Sequence, residues 1–501
     1  MPIPKSLMLV LVAVFTAAGP VRAAPDADVP PELEGLPQRW SEAMADFRVP
    51  GFAVVVVRDD RVIYRGVFGH RDLGARKPVT PSTAFYIASA TKPFTAMGIM
   101  KLVDDGKVNL DDPVKKYLPK FELPDAGLAA RITVRELLSH RPGIECPDVV
   151  LLDAYTGEIT DDRYYRLLKT HGTAVGATRY SNIHFTLAGR VIEAASGMPW
   201  RDYLVKHIFK PAGMTGATGY ADVMYARDDV AIPYRITPDG PQPAPRKTDA
   251  TMHAAGGLGM SIDDLAIWLR LNLAGGQIDG RRIISEASAA EMLRLQSEAA
   301  EGQIRVRRGF GLGWGIGTFR PNGPAYVMHS GGYVGAAAHT SFLPQQRIGV
   351  AVLTNGDGPA AVFAESAVSI DVLDRFVGGD HDDFLESTRR RLPEWMQQAQ
   401  GRQPAMPVDV TAAGALTAAP TGYAGEYYSD DFGTLQVRLD GKSFKMQLGT
   451  LPLTISSCAE DRFVAPNGGN EIEGRFEVSE GKAAAVVLHL ASGEARFDRR
   501  N

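Results

Sequence analysis

The sequence predicts an α/β (α+β) fold: an antiparallel sheet flanked by helices, an all-α lobe beside it, and a small C-terminal antiparallel β-barrel of lipocalin-like type. Three observations predict it. Strand-like runs occur early, at residues 51–72, and return after about residue 308. The long stretch between them carries helical spacing. Beyond residue 420 the chain alternates apolar and polar residues between Gly and Asp turns, with no helical stretch.

The elements follow in order. "GFAVVVVRDDRVIYRGVFGHRD" (51–72) is two β-rich runs around the polar turn Asp59-Asp60-Arg61, a hairpin signal. In "ITVRELLSH", "HFTLAGRVIEAASG" and "SIDDLAIWLRLNLAGG" apolar residues recur three and four apart, and each segment ends near glycine or a turn. Gly- and Pro-rich loops such as "HRPGIECP" and "KPAGMTGATGY" separate them. The later strands are "FGLGWGIGTF", "AYVMHS", "AAHTSFLP" and "IGVAVLTN", closed by the helical "PAAVFAESAVSIDVLDRFVGG". Early and late strands must then share one sheet, and the cleft between sheet body and helical lobe is a natural place for a site. Residues Pro393 to Pro420, rich in Ala, Gln and Pro, read as a linker. The expected division is a main body over 31–392, a linker over 393–420 and a barrel over 421–501. The barrel shows no catalytic cluster, so a ligand-binding, lid or docking role is expected for it, or simple packing.

Composition narrows the function. The chain has 501 residues, 45% hydrophobic and 22% charged, with net charge -4. Such a balance leaves no electrostatic footprint for nucleic acid or an anionic membrane surface. Walker, G-x-G-x-x-G and H-E-x-x-H signatures are absent, so neither cofactor nor metal is expected. "GGDHDD" (378–383) reads as a polar loop rather than a metal site. The two cysteines, Cys146 and Cys458, fall in different expected domains and are expected to stay unpaired. At the N-terminus, one lysine precedes the apolar run Leu7–Ala18, then Gly19-Pro20 and the small-residue end of Val21-Arg22-Ala23. That run is shorter than the roughly 20 residues a bilayer needs, so 1–23 is expected to be a cleaved secretory leader rather than an anchor. A periplasmic or secreted protein with no later membrane span follows.

The chemistry starts from "SATK". Ser89 and Lys92 lie three apart at a helix opening, where residues i and i+3 share a face. Pro93 suits a first helical turn, and the positive end of the helix favours an alkoxide-like serine. Alone, the pair is equally an N-cap serine and a lysine, and S-x-x-K recurs at Ser479–Lys482, where "SEGK" reads as a hairpin turn. Acyl transfer also needs a proton relay and donors for a developing oxyanion. One tyrosine among sixteen has asparagine two residues on: Tyr180-Ser181-Asn182, in a loop before a helix. One H-x-G, His329-Ser330-Gly331 followed by Gly332, closes "AYVMHSGG", where small residues let a substrate lie along the strand. His140 and His339 read equally as cleft residues and as structural histidines.

In that order the three motifs resemble those of the serine β-lactamase and penicillin-binding-protein superfamily, in its class C-like branch with D-alanyl-D-alanine carboxypeptidases, D-aminopeptidases and esterases. "LLSHRPGI", "AAGGLGMSIDDLAIWL", "GFGLGWGI" and "FLPQQRIGVAVLTNGD" extend the resemblance over roughly 35–380. It implies Ser89 as acylated nucleophile and Lys92 with Tyr180 as the base. Asn182 would bind the substrate amide, His329 would hold the substrate or shuttle a proton, and Ser330, Gly331 and Gly332 would complete the binding edge. The backbone N–H groups of Ser89 and Gly332 would form the oxyanion hole. Two departures stand out: HSG replaces the usual K-T-G, which shifts weight to peptidase or esterase relatives, and Arg141-Pro142 replaces small hydroxyl residues. The resemblance implies an exported serine hydrolase cleaving an amide in a small-molecule or peptide substrate, with a carboxylesterase and a non-catalytic binding homologue as alternatives.

Overall fold

A run of valines explains the centre of the sheet. In strand β1 (Gly51–Arg58) every residue but the last is buried. Ala53, Val55 and Val57 face one hydrophobic core while Phe52, Val54 and Val56 face another, so both faces of the strand are covered. That is why the sequence reads as continuous rather than alternating apolar, and each fully buried valine contributes about 1.5–3 kcal/mol. The structure is a computed structural model, and it describes residues 29–299, 306–378, 383–400, 406–467 and 470–500. The expected leader over 1–23 lies outside the described residues, as does most of "GGDHDD".

The remaining strands of this sheet are β2 (Arg61–Asp72), β3 (Val306–Phe310), β4 (Gly315–Thr318), β5 (Ala325–Tyr333), β6 (Ala336–Leu343) and β7 (Ile348–Thr354). With short edge strands Ser297–Glu298 and Lys77–Pro78 they form one nine-stranded antiparallel sheet in the order β3-β4-β5-β6-β7-β1-β2 between those edges. The early hairpin thus joins the late strands through β1 and β7, Val54 opposite Val352. Helices α1 (Leu36–Asp46) and α5 (Gly358–Val377) cover one face. On the other lie α2 (Lys92–Asp104), α3 (Asn182–Ser196) and α4 (Ile262–Leu273) within the helical lobe. Capping residues mark their starts: the Ser181 hydroxyl accepts from the Ile183 N–H, and Ser261 with Asp264 makes a capping box at α4.

Two expectations are revised. "FGLGWGIGTF" is not one strand; it breaks at 311–314 between β3 and β4. Gly313, at φ +80°, sits where a Cβ would lie 2.8 Å from Ala96 Cβ and 3.1 Å from the Lys92 carbonyl, so the loop presses onto the start of α2. The stretch read as a linker, 393–420, is structured at both ends. Residues Leu392–Gln400 form a helix whose Trp395 stacks on Phe363, and Val408 and Val410 donate backbone bonds to the barrel.

The C-terminal region is a second nine-stranded antiparallel sheet, curled into a half-barrel. Its edges, Leu451–Thr454 and Ser457–Ala459, are consecutive in sequence, and the Ser456 N–H donates to the Val464 carbonyl at 2.9 Å, extending the pairing of the second edge with Arg462–Asn467. Tyr423, Phe444, Phe463 and Phe476 fill the interior, with ring centroids 5.0–5.9 Å apart. "SEGK" is indeed the hairpin turn between its strands Asn470–Ser479 and Lys482–Leu490, with Glu480 and Gly481 at positive φ. Among the described residues no helix is long and apolar enough to cross a membrane.

Candidate active site

The nucleophile turn is held tightly. Ser89 lies in a 3₁₀ turn, Ala88–Thr91, that runs directly into α2. Ala88, just before it, adopts φ +46°, a strained setting for a residue with a Cβ, and the turn around it is buried. Lys92 is completely buried. Its Nζ lies 3.0 Å from Ser89 Oγ, 2.8 Å from Asn182 Oδ1 and 2.8 Å from the Ala255 carbonyl. Burial holds its pKa well below the ordinary lysine value. In the neutral form its two N–H groups satisfy Asn182 and Ala255, which can only accept, and the lone pair is left facing the Ser89 hydroxyl.

Tyr180 and Asn182 come to the same point from another element. Asn182 opens α3, and the Tyr180 ring stands 4.8 Å from Lys92 Nζ, measured to its centroid. Behind them is a neutral histidine pair. The His184 Nε2 accepts from the Ile144 N–H at 2.9 Å, which leaves its proton on Nδ1, 3.0 Å from His140 Nδ1. His140 Nδ1 also accepts from the Ser181 N–H at 3.2 Å. Burial, and then the Lys92 charge, push His184 down to about 3. Of its two readings His140 takes the structural one: it is a buried support whose ring packs 4.6 Å from Tyr180 and fixes the loop that carries it.

Strand β5 passes against the nucleophile turn. A Cβ on Gly331 would lie 2.0 Å from the Ile87 carbonyl and 3.0 Å from the Ser89 nitrogen, so only glycine allows this approach. His329 shares that face by strand alternation, its ring 6.2 Å from Tyr180 and its Nδ1 2.7 Å from the Ser330 carbonyl. Ser330 is a correction. Its side chain turns to the opposite face, 2.8 Å from His339 Nδ1, so its hydroxyl is directed away from Ser89. His339, also bonded to Tyr326 and Ser366, is buried there, and burial lowers it to about 3. It supports the sheet and does not line the cleft. Gly332 lies on that same opposite face, where a Cβ would meet only Val362 at 3.4 Å.

Beside Tyr180 and Asn182 opens a cleft of about 780 Å³. Tyr155, Arg246 and Tyr333 of the main body line it, together with Thr450, Leu451 and Pro452 of the barrel. Sequence reasoning missed these barrel residues, because nothing in an alternating strand marks which edge meets another domain. It also missed the Ala255 carbonyl, whose only trace is the small-residue phrase "AAGG". Cys146, at the cleft, and Cys458 are both unpaired, and burial raises each thiol to about 11. Among the described residues no group of His, Cys, Asp and Glu could hold a metal.

Comparisons with known proteins place this geometry. Penicillin-binding protein 4 of Amycolatopsis lactamdurans is 28% identical over 338 residues, covering 66% of this chain and 86% of that protein. Protein flp of Staphylococcus aureus is 26% identical over 313 residues, and the match spans only 60% of its length. In fold, the chain resembles the octameric penicillin-binding protein homologue from Pyrococcus abyssi, with TM-score 0.59 at 24% identity over 92% of this chain and 99% of that one. The structure of SurE is similar at TM-score 0.53 and 24% identity, covering 94% and 99%. A family model described as Beta-lactamase matches residues 37–375. The chain therefore belongs to the beta-lactamase family, within the serine β-lactamase and penicillin-binding-protein superfamily.

Proposed function

We propose that this chain is an exported serine hydrolase that forms an acyl-enzyme on Ser89 and cleaves an amide, with peptides containing D-amino acids as first candidates. The observation that carries the reading is the buried Lys92 amine at 3.0 Å from Ser89 Oγ, with its other two bonds already committed. The Ser89 hydroxyl gives its proton to the Lys92 and Tyr180 pair as Oγ attacks the carbonyl carbon. The N–H groups of Ser89 and Gly332 receive the developing oxyanion. The relayed proton passes to the leaving amine as the C–N bond breaks, and water then releases the acyl group. Asn182 holds the substrate amide, and His329 flanks it from β5. Export rests on the leader pattern of 1–23, and the N-terminal residue of the mature protein tests it.

A carboxylesterase is the second reading, favoured by His329 at the place where β-lactamases carry a lysine. A non-catalytic ligand-binding role finds less support, since aromatic rings fill the barrel interior. Labelling the protein separately with a fluorescent penicillin and a fluorophosphonate, then locating the adduct by peptide mass, separates the three. Both reagents on Ser89 support a penicillin-sensitive amide hydrolase; the fluorophosphonate alone supports the esterase or an aminopeptidase. No adduct at Ser89 from either reagent sinks the enzyme reading.

A further inference from the structure

Lys247 lies just behind the cleft and takes no part in the acyl transfer proposed above. It is 4% exposed, and its Nζ donates to the carbonyls of Ala154 at 2.5 Å and Thr251 at 3.2 Å. The ammonium stands 3.8 Å over the Tyr333 ring, with the rings of Tyr86 and Tyr155 at 5.5 and 5.8 Å. Asp153 acts on it through space, without a direct bond, and burial brings it down to about 7. A buried cation held by carbonyls and ring faces costs folding free energy that an apolar side chain would not. Its retention needs another reason.

The bonds around it supply one. The Ala154 carbonyl receives a second donor, the Tyr333 hydroxyl at 3.2 Å, and Tyr333 follows Gly332 at the end of β5. The next two carbonyls along the 152–156 turn both face the barrel. Thr450 Oγ1 donates to the Tyr155 carbonyl at 3.0 Å, and the Thr450 N–H donates to that of Thr156 at 2.8 Å. Gly449, at φ +54°, approaches so closely that a Cβ would lie 2.2 Å from the Thr156 carbonyl oxygen. Tyr155, Thr251, Tyr333 and Thr450 are all lining residues of the cleft.

We propose that Lys247 is a positioning residue: its ammonium clamps the 152–156 turn to β5, and through that turn fixes Thr450–Pro452 of the barrel as a wall of the substrate cleft. What the wall contacts rests on the hydrolase reading; the clamp itself does not. Ser89 and β5 hold the reacting carbonyl, so the wall meets the part of a substrate remote from the bond that breaks. A long acyl group reaches it and a short one falls short.

The test uses the full chain, with hydrogen exchange followed by mass spectrometry and steady-state kinetics on p-nitrophenyl acetate and octanoate. Lys247→Met is expected to speed exchange about tenfold in peptides spanning 152–158 and 449–454, including the Thr450 amide, while α2 keeps its protection. On octanoate KM rises about tenfold with kcat little changed, and the acetate KM moves much less. Thr450→Val, which keeps the shape and removes the hydroxyl, loosens 152–158 in the same direction and carries the test if the lysine variant does not fold. Unchanged exchange in these segments, or an equal loss on both esters confined to kcat, overturns the proposal. If the wild type hydrolyses neither ester, the exchange result alone decides the clamp, and the hydrolase reading is judged by Ser89 labelling.

Discussion

A lysine without exposed surface holds its proton less readily than one in water, and Lys92 has none. Its neutral form is the one that can accept the Ser89 proton, so acylation should gain with rising pH through the depressed pKa and then level off. Linkage has the same sign: the unfolded chain binds this proton more tightly, so the contribution of Lys92 to stability rises with pH from the folded pKa up to the ordinary value near 10.5. In Lys92→Ala, fluorophosphonate labelling of Ser89 should fall about 10²–10⁴-fold and lose that pH limb while circular dichroism stays native. Full labelling in this variant would refute the base. At this scale the sequence was legible where chemistry is local: Ser89 with Lys92, Tyr180 with Asn182, and His329 with Gly331 each show within a few residues. Lys247 in "PRKTD" looks like any surface lysine, because its burial depends on Ala154, Thr251 and Tyr333, which lie far apart along the chain.

Among elements, β5 depends most on the size of single side chains. Gly331 and Gly332 are neighbours with opposite surroundings, one against the Ile87 carbonyl and the other facing open packing near Val362. Gly331→Ala should therefore lower stability by about 1–3 kcal/mol through overpacking, while Gly332→Ala should cost far less. Thermal unfolding of the two variants side by side checks this, and equal melting temperatures would contradict the packing argument. The alternation of β5 was readable from sequence, yet its consequence was missed: Ser330 points to His339 and α5, away from the face shared by His329 and Gly331. The break in "FGLGWGIGTF" was illegible for a related reason. Its glycines permit a strand or a turn equally, and contact with Ala96 and Lys92 decides for the turn.

At the scale of the molecule, the barrel docks through buried polar contacts as well as apolar ones. Arg163, 8% exposed, donates from Nε to the Asp430 carbonyl at 2.8 Å and from Nη2 to the Tyr428 hydroxyl at 2.9 Å. Asp148 accepts from the Ala491 and Ser492 N–H groups at 3.2 and 3.0 Å. Each bond to a charged group contributes about 1.5–3 kcal/mol, so Arg163→Ala should uncouple the barrel from the body. Calorimetry should then resolve two transitions where the parent protein shows a more cooperative one; an unchanged trace would show that the contact is dispensable. The two-part architecture itself was legible from the switch of periodicity near residue 420. How the parts meet was not, because docking surfaces carry no period.

The order of the barrel strands has a consequence for how the protein is made. The strand that follows the other barrel strands in sequence, Gly493–Arg499, lies in the middle of the sheet, between Gly425–Ser429 and Lys482–Leu490. Until it is in place, the half that ends in Leu451–Thr454 meets the other half through side-chain contacts such as the Tyr423 hydroxyl donating to Asp461 at 2.5 Å, without a continuous backbone ladder between them. Ser89, Lys92, Tyr180 and β5 are all translated well before then. The proposed reacting groups thus precede this strand in sequence, so on the proposals above a stop near residue 490 would unsettle the wall at Thr450–Pro452 before it touched the groups around Ser89.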